Sequence, residues 1–340
     1  MSRRWVRCRF VIVGCALLVA AAPALGQPAT PPPTPTPFIG LAADVFQRAR
    51  AELEAGDHTT ALLDFSLYLA LNPGSSQAYF GQAISLLSLE RPEDALQSIE
   101  HAIATAPEHA GFRAALFTTQ AQIQLALDQP EAATASLSAA IELSPSAVTY
   151  ATRADLLARR GDFQAALADL DAAIALTPDD PLLYLQRALL HNQVQDRAAA
   201  GADYFQYINA IGVTIGRNGP LIPGEMIITT LEEGLVQVFT FEGRAGQIAS
   251  VGAAARPGDS VDPLIVLIDP AGQPLGGDDD SGGNFDPLLR NVPLTTDGTY
   301  SVLLTHAMGG SAGQVAIGVQ IAGGPARTPT NPAPAGNPGA

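Results

Sequence analysis

Four prolines set the architecture of the first part of this chain. Asn72-Pro73, Ala106-Pro107, Ser144-Pro145 and Thr177-Pro178 stand 34, 38 and 33 residues apart, in a stretch rich in alanine and leucine at helical spacing. Proline cannot continue a helix, so its return at that interval closes one helical unit after another. Aligned on those prolines, the same small position on a first helix is Ala49, Ala83, Ala121, Ala154 and Ala188. On a second helix it is Ala61, Ala95, Ala133, Ala166 and Ala200. Where two helices cross closely only a methyl group fits, and a larger residue would push them apart. Large residues recur beside them: Phe65, Ile99, Leu137, Leu170 and Tyr204 on second helices, and Val45, Tyr79, Phe117, Tyr150 and Tyr184 on first helices.

The turns between helices follow helix chemistry. Gly56-Asp57 and Gly161-Asp162 read as a helix-ending glycine followed by an N-capping aspartate, and Pro92-Glu93 and Pro130-Glu131 as first-turn residues. A period near 34 with ten crossing alanines resembles the tetratricopeptide repeat. The expected repeats are 42–75, 76–109, 114–147, 147–180 and 181–210, within a domain at 41–210. The longer second interval places about four extra residues near Ala110–Arg113. The resemblance implies an all-α superhelix whose first helices line a concave groove. The groove positions are then Phe46 and Arg50, Phe80 and Ile84, Thr118 and Gln122, Ala151 and Asp155, and Leu185 and Leu189. Any of these side chains has an alternative use, packing between repeats. Arg50 is the one cation of the set, so the implied ligand is an extended protein segment with apolar anchors rather than an acidic chain terminus.

The pattern changes after residue 210. Val315, Ile317, Val319 and Ile321 alternate with smaller or polar residues, as do Tyr300, Val302 and Leu304, and Leu264, Val266 and Ile268; residues 236–239 and 247–251 supply two further strands. Short strands punctuated by Gly, Pro and Asp predict an antiparallel sandwich over 224–323, reached through a linker at 211–223. Gly246-Gln247, Asp262-Pro263, Asp269-Pro270-Ala271-Gly272, Asp278-Asp279-Asp280 and Asp297-Gly298-Thr299-Tyr300 fall in an order that resembles the bacterial pre-peptidase C-terminal domain. The resemblance implies an all-β, jelly-roll-like module of the kind found beside secreted enzymes.

The ends of the chain have other compositions. Arg3, Arg4, Arg7 and Arg9 precede an apolar run from Phe10 to Ala22 and then Ala24-Leu25-Gly26, which reads as an export signal over 1–26. Ile12-Val13-Gly14-Cys15 and Ser2-Arg3-Arg4-Trp5-Val6 keep a lipoprotein signal and a twin-arginine signal open as alternatives. A Pro/Thr-rich linker (27–40) follows, and 324–340 is a Pro/Gly/Ala-rich tail expected to be disordered. Cleavage after Gly26 would remove both cysteines, so thiol chemistry and disulfides are excluded from the mature chain. It would leave 14 basic residues, all arginine, against 33 acidic ones, a net charge of −19. That surface repels phosphate backbones and excludes nucleic acid as a partner, and no membrane span is expected in the mature chain.

No catalytic set can be assembled, so no enzyme is expected. Gly309–Gly313 matches G-x-S-x-G, but a strand is expected after it where a nucleophile elbow needs a helix, and the five histidines are scattered. Asp278, Asp279 and Asp280, with Asp262 and Asp286, offer oxygen ligands suited to calcium; the alternative is a solvated acidic loop. No other cofactor is expected. The reading is an exported, extracellular or envelope scaffold binding a protein or peptide partner. Its alternative is the accessory subunit of a secreted hydrolase, with the sandwich holding substrate or polymer.

Overall fold

A computed structural model describes residues 37–211, 213–259, 261–283, 286–307 and 312–323. The export signal and the C-terminal tail therefore lie outside the described residues. The chain divides into two compact units, one ending at Pro145 and the other beginning at Ser146.

Among the described residues the first unit has three helix pairs: α1 (Pro37–Glu54) with α2 (His58–Leu71), α3 (Ser76–Ser88) with α4 (Pro92–Thr105), and α5 (Ala110–Ala126) with α6 (Pro130–Leu143). The second opens with two more, α7 (Ala147–Arg160) with α8 (Phe163–Leu176) and α9 (Pro181–Gln193) with α10 (Arg197–Ala210). The ten crossing alanines are at most 2 % exposed, as close crossing requires. Helix α1 starts inside the span expected as a linker. The extra residues of the second interval lengthen α5 to 17 residues, while α3 has 13, and His109 caps it by accepting from Phe112 N–H at 3.1 Å. Asp57 caps α2 as expected, through Thr60 N–H at 3.1 Å. Asp162 stands at the N-cap of α8 without a side-chain cap bond, because its carboxylate pairs with Arg160. The turn inside every pair needs one left-handed residue. It is Gly56 or Gly161 in two pairs, and Glu90, Asp128 or Gln195 in the others, with φ between 57° and 91°.

Among the described residues nine strands complete the second unit: β1 (Thr214–Pro220), β2 (Met226–Leu231), β3 (Leu235–Gly243), β4 (Gln247–Ala255), β5 (Pro263–Ile268), β6 (Pro274–Asp278), β7 (Leu288–Pro293), β8 (Gly298–His306) and β9 (Gly313–Gly323). They form a five-stranded sheet, β1-β3-β8-β5-β6, and a four-stranded sheet, β2-β9-β4-β7. The sandwich core lies between them, where Phe239, Phe241, Tyr300, Val302 and Leu304 of the first sheet meet Val251, Val315, Ile317 and Val319 of the second. Two expectations are corrected. Residues 211–223 are not a plain linker, since they carry β1, and β1 pairs with β3 in parallel in an otherwise antiparallel fold.

The boundary expected there is also corrected. The five-stranded sheet has a second buried face, on which Val236, Leu264, Val266, Ile268 and Leu303 meet Leu185, Tyr204, Tyr207 and Ile208 of α9 and α10. Close approach is built in backbone to backbone: a Cβ placed on Gly201 would lie 2.4 Å from the Gly276 carbonyl carbon and 2.7 Å from Gly277 N. Tyr204 lies over Gly277 as Phe65 of α2 lies over Gly81 of α3. The sheet therefore stands against α10 where a further repeat would stack.

Candidate functional site

The groove positions fall into the two units, and each unit treats its own differently. In the first, α3 lies beside both α1 and α5. Phe46 is half-buried, with its ring 4.8 Å from Tyr68 and 6.1 Å from Phe65. Phe80 is half-buried and meets Phe112 edge to face at 5.8 Å, and Ile84 is half-buried one turn further along α3. Thr118 donates its hydroxyl to Ala114 O at 2.9 Å, and Gln122 is exposed. Arg50 is exposed and pairs with Glu54 at 3.5 Å, so it is not a free cation. In the second unit Ala151 packs in the α7–α8 core, and Asp155 pairs with Arg159 at 2.8 Å. Leu185 and Leu189 are not groove residues. Leu185 is 4 % exposed, and both belong to the core that α9 and α10 share with the sheet. The apolar face expected as a groove wall is taken up by the sandwich.

A second periodic set escapes the reading of the sequence. The residue before each first-helix alanine bonds to the residue before each large second-helix residue, always 16 positions on. Arg48 pairs with Asp64 in the first repeat. Arg153 Nε and Nη2 donate to Asp169 at 2.7 Å each, and Arg187 Nε and Nη2 donate to Asp203 at 2.8 and 2.6 Å. In the two repeats between, the pair is neutral: Ser98 donates to Gln82 at 2.9 Å and Ser136 to Gln120 at 3.0 Å. The signal is present as an Arg/Gln column and an Asp/Ser column in register with the alanines. These forks tie the two helices of a repeat together and fix the first helix against the second. Arg187 is held further above its usual range, first by its hydrogen bonds to Asp203, and its guanidinium lies 5.8 Å from the Tyr184 ring.

The acidic residues do not converge as a calcium set. Asp278 is buried, and its Oδ2 accepts from Ser281 N–H, Ser281 Oγ and Leu288 N–H at 3.1, 2.7 and 2.6 Å. Asp286 accepts from Ala255 N–H at 2.8 Å. Asp279 turns toward the helices, where Asn192 Nδ2 donates to it at 3.0 Å and to Tyr204 Oη at 3.0 Å. Among the described residues no three His, Cys, Asp or Glu stand where one ion could be held. What forms is an acidic knot at the α9–α10–sheet contact, with Asp262 Oδ1, Asp278 Oδ1 and Asn192 Oδ1 buried and without hydrogen-bond partners among the described residues.

Burial pushes the Asp262 carboxyl up to about 6, with help from Asp279. Partial burial, followed by Asp279, Asp262 and Asp278, pushes Asp280 up to about 7, although its side chain reaches solvent. Asp279 is raised by burial, and Asn192 and Tyr204 oppose the rise. A carboxyl raised in the folded state favours folding most when it is protonated, and that advantage is lost as pH climbs through the folded value. The second unit is therefore expected to be more stable near about pH 5 than near pH 8, and Asp262→Asn with Asp280→Asn to flatten that slope. Urea midpoints across the range test this, with Asp179→Asn as an exposed control; a parent midpoint that rises with pH would refute it.

Residues 309–311 of the G-x-S-x-G match lie outside the described residues, and β9 follows at Gly313, as expected. His306 is 4 % exposed at the end of β8. Burial lowers its pKa, so neutral imidazole is favoured.

The tetratricopeptide repeat model matches residues 46–110 and 118–181. Among solved structures, a fragment of MamA from Desulfovibrio magneticus RS-1 is similar at 14 % identity and TM-score 0.46, over 50 % of this chain and 94 % of that one. YrrB, described as a tetratricopeptide repeat protein with an unusual peptide-binding site, is similar at 18 % identity and TM-score 0.44, over 52 % of this chain and 92 % of that one. PilF from Pseudomonas aeruginosa is similar at 16 % identity and TM-score 0.44, over 51 % of this chain and 77 % of that one. The comparison with curated proteins found no match.

Proposed function

We propose, from tetratricopeptide repeats that end against a β-sandwich, that this protein is a non-enzymatic scaffold that holds an extended protein segment on its first unit. The observation that carries the reading is the apolar trio Phe46, Phe80 and Ile84, half-buried on adjacent first helices, with Thr118 and Gln122 beside them on the next. Leu185 and Leu189 are already covered by the sheet, so the surface open to a partner is the one on α1, α3 and α5. The arginine-led apolar segment at 1–26 supports an exported protein, with the sandwich as its extracellular or envelope module resembling the pre-peptidase C-terminal domain.

Phe80→Ala with Ile84→Ala is expected to weaken binding of a partner identified by cross-linking in the native envelope. The expected loss is about 2 kcal/mol or more, since a few central anchors usually carry most of the binding energy. Helicity and melting must first match the parent. A folded double variant that binds as tightly as the parent would remove the groove from consideration.

A further inference from the structure

The two sheets have four edges, and three are blocked. The β6 edge is covered by α10, through Gly201 against Gly276 and Gly277. Strand β1 carries Arg217 and Pro220, and its register with β3 shifts between them. Strand β7 carries Arg290 and Pro293, and its ladder with β4 is broken between Ala249 and Val251. Strand β2 has none of these devices. Its sequence, MIITTL, contains no charge and no proline, and its register with β9 is unbroken from Met226 to Leu231. An edge without such protection is a template for another strand.

The direction of its backbone groups follows from its neighbours. Arg256 N–H donates to Gln314 O, so the Gln314 carbonyl faces β4, whereas Gly224 N–H donates to Val319 O, which faces the β2 side. Backbone groups alternate along a strand. Gln314, Ala316 and Gly318 therefore turn theirs to β4, and their opposite residues Thr230, Ile228 and Met226 turn theirs away from the sheet. The Thr230 carbonyl is taken by Gln237 Nε2 at 2.6 Å. The outward groups of Met226 and Ile228 have no partner among the described residues, and these two residues are 61 % and 69 % exposed.

Charge decides the occupant. β2 is bracketed by exposed Glu225 before it and exposed Glu232 and Glu233 after it. Pairing with a second copy of β2 would bring acidic ends against acidic ends, in a chain already at −15. A strand with basic ends meets opposite charge at both. We propose that the free edge of β2 docks an extended protein segment of alternating apolar residues with Arg or Lys at each end, adding a fifth strand to the β2-β9-β4-β7 sheet. This surface is independent of the groove on the first unit.

The test is amide hydrogen exchange at Met226 and Ile228 in the full chain, with and without the synthetic peptide Arg-Thr-Val-Thr-Val-Thr-Arg. Fast exchange in the free chain, slowed roughly tenfold or more by this peptide and not by its glutamate-ended counterpart, is expected. Ile228→Pro, which removes one outward N–H, should abolish the protection. Should that variant unfold, Glu225→Arg with Glu232→Arg and Glu233→Arg decides the matter by switching the preference to the glutamate-ended peptide. Unchanged exchange, equal effects of both peptides, or no switch on charge reversal would overturn the proposal. Amides already protected in the free chain would overturn it too, because the edge would then be filled by the chain's own segments or a second copy.

Discussion

Gly201→Val is expected to destabilise the second unit by about 3 kcal/mol or more, the upper range for an overpacked site. What a Cβ would meet there is backbone, the Gly276 carbonyl at 2.4 Å and Gly277 N at 2.7 Å, and neither can swing aside as a side-chain end could. Relief would require α10 to lift from β6, which uncovers Tyr204 and strips the buried face of β5. Gly219→Val, on β1 with nothing within 4 Å of a Cβ, serves as the control and should change stability by no more than about 0.5 kcal/mol. Urea unfolding of both variants gives the comparison. Equal midpoints would mean that α10 and β6 are not held at this distance.

Arg187→Ala is expected to have a comparable effect, about 3–5 kcal/mol, because it abandons a buried carboxylate. The Asp203 side chain is 5 % exposed and receives two of the guanidinium's hydrogen bonds. His191 Nε2 stands 3.7 Å from the same carboxylate. The protein itself supplies the rescue. Gln82 and Ser98 make the equivalent contact without charge, and Arg187→Gln with Asp203→Ser should recover most of the loss. If the double replacement is no better than Arg187→Ala, the loss comes from packing of the arginine stem rather than from the stranded charge.

The helical repeats are legible because their constraint is local and periodic. An alanine every 33 to 38 residues reports a crossing that recurs in every unit, and each crossing involves neighbours in sequence. The destination of the last repeat is not legible, because Leu185, Leu189 and Tyr204 look the same whether their next neighbour is a helix or a sheet. A clue is present in Pro263–Ile268, whose six residues are all buried. Leu264, Val266 and Ile268 read as one face of a half-buried strand, while Ile265 and Leu267 between them are equally apolar. A run without polar alternation means a strand covered on both sides. Strand β6 escapes notice because Pro274–Asp278 contains two glycines, whose value lies in the approach of α10 rather than in strand propensity. The acidic triplet reads as one feature because its members adjoin in sequence. Strand β6 ends at Asp278, whose carboxylate goes to the loop's own backbone, and Asp279 just beyond the strand turns to the helices.

The sheet against α10 also orders events during synthesis. A ribosome releases the chain from its N-terminus, and the early helix pairs can bury their crossings as soon as they emerge. The last pair cannot. Asn192 waits for Asp279, 87 positions downstream, and the faces of Leu185 and Tyr204 stay wet until β5 and β8 exist. At roughly 5–20 residues per second that interval lasts several seconds or longer, which leaves an unsatisfied apolar helix pair available to chaperones. A chain finished in this order completes its fold only after nearly all of it has been made.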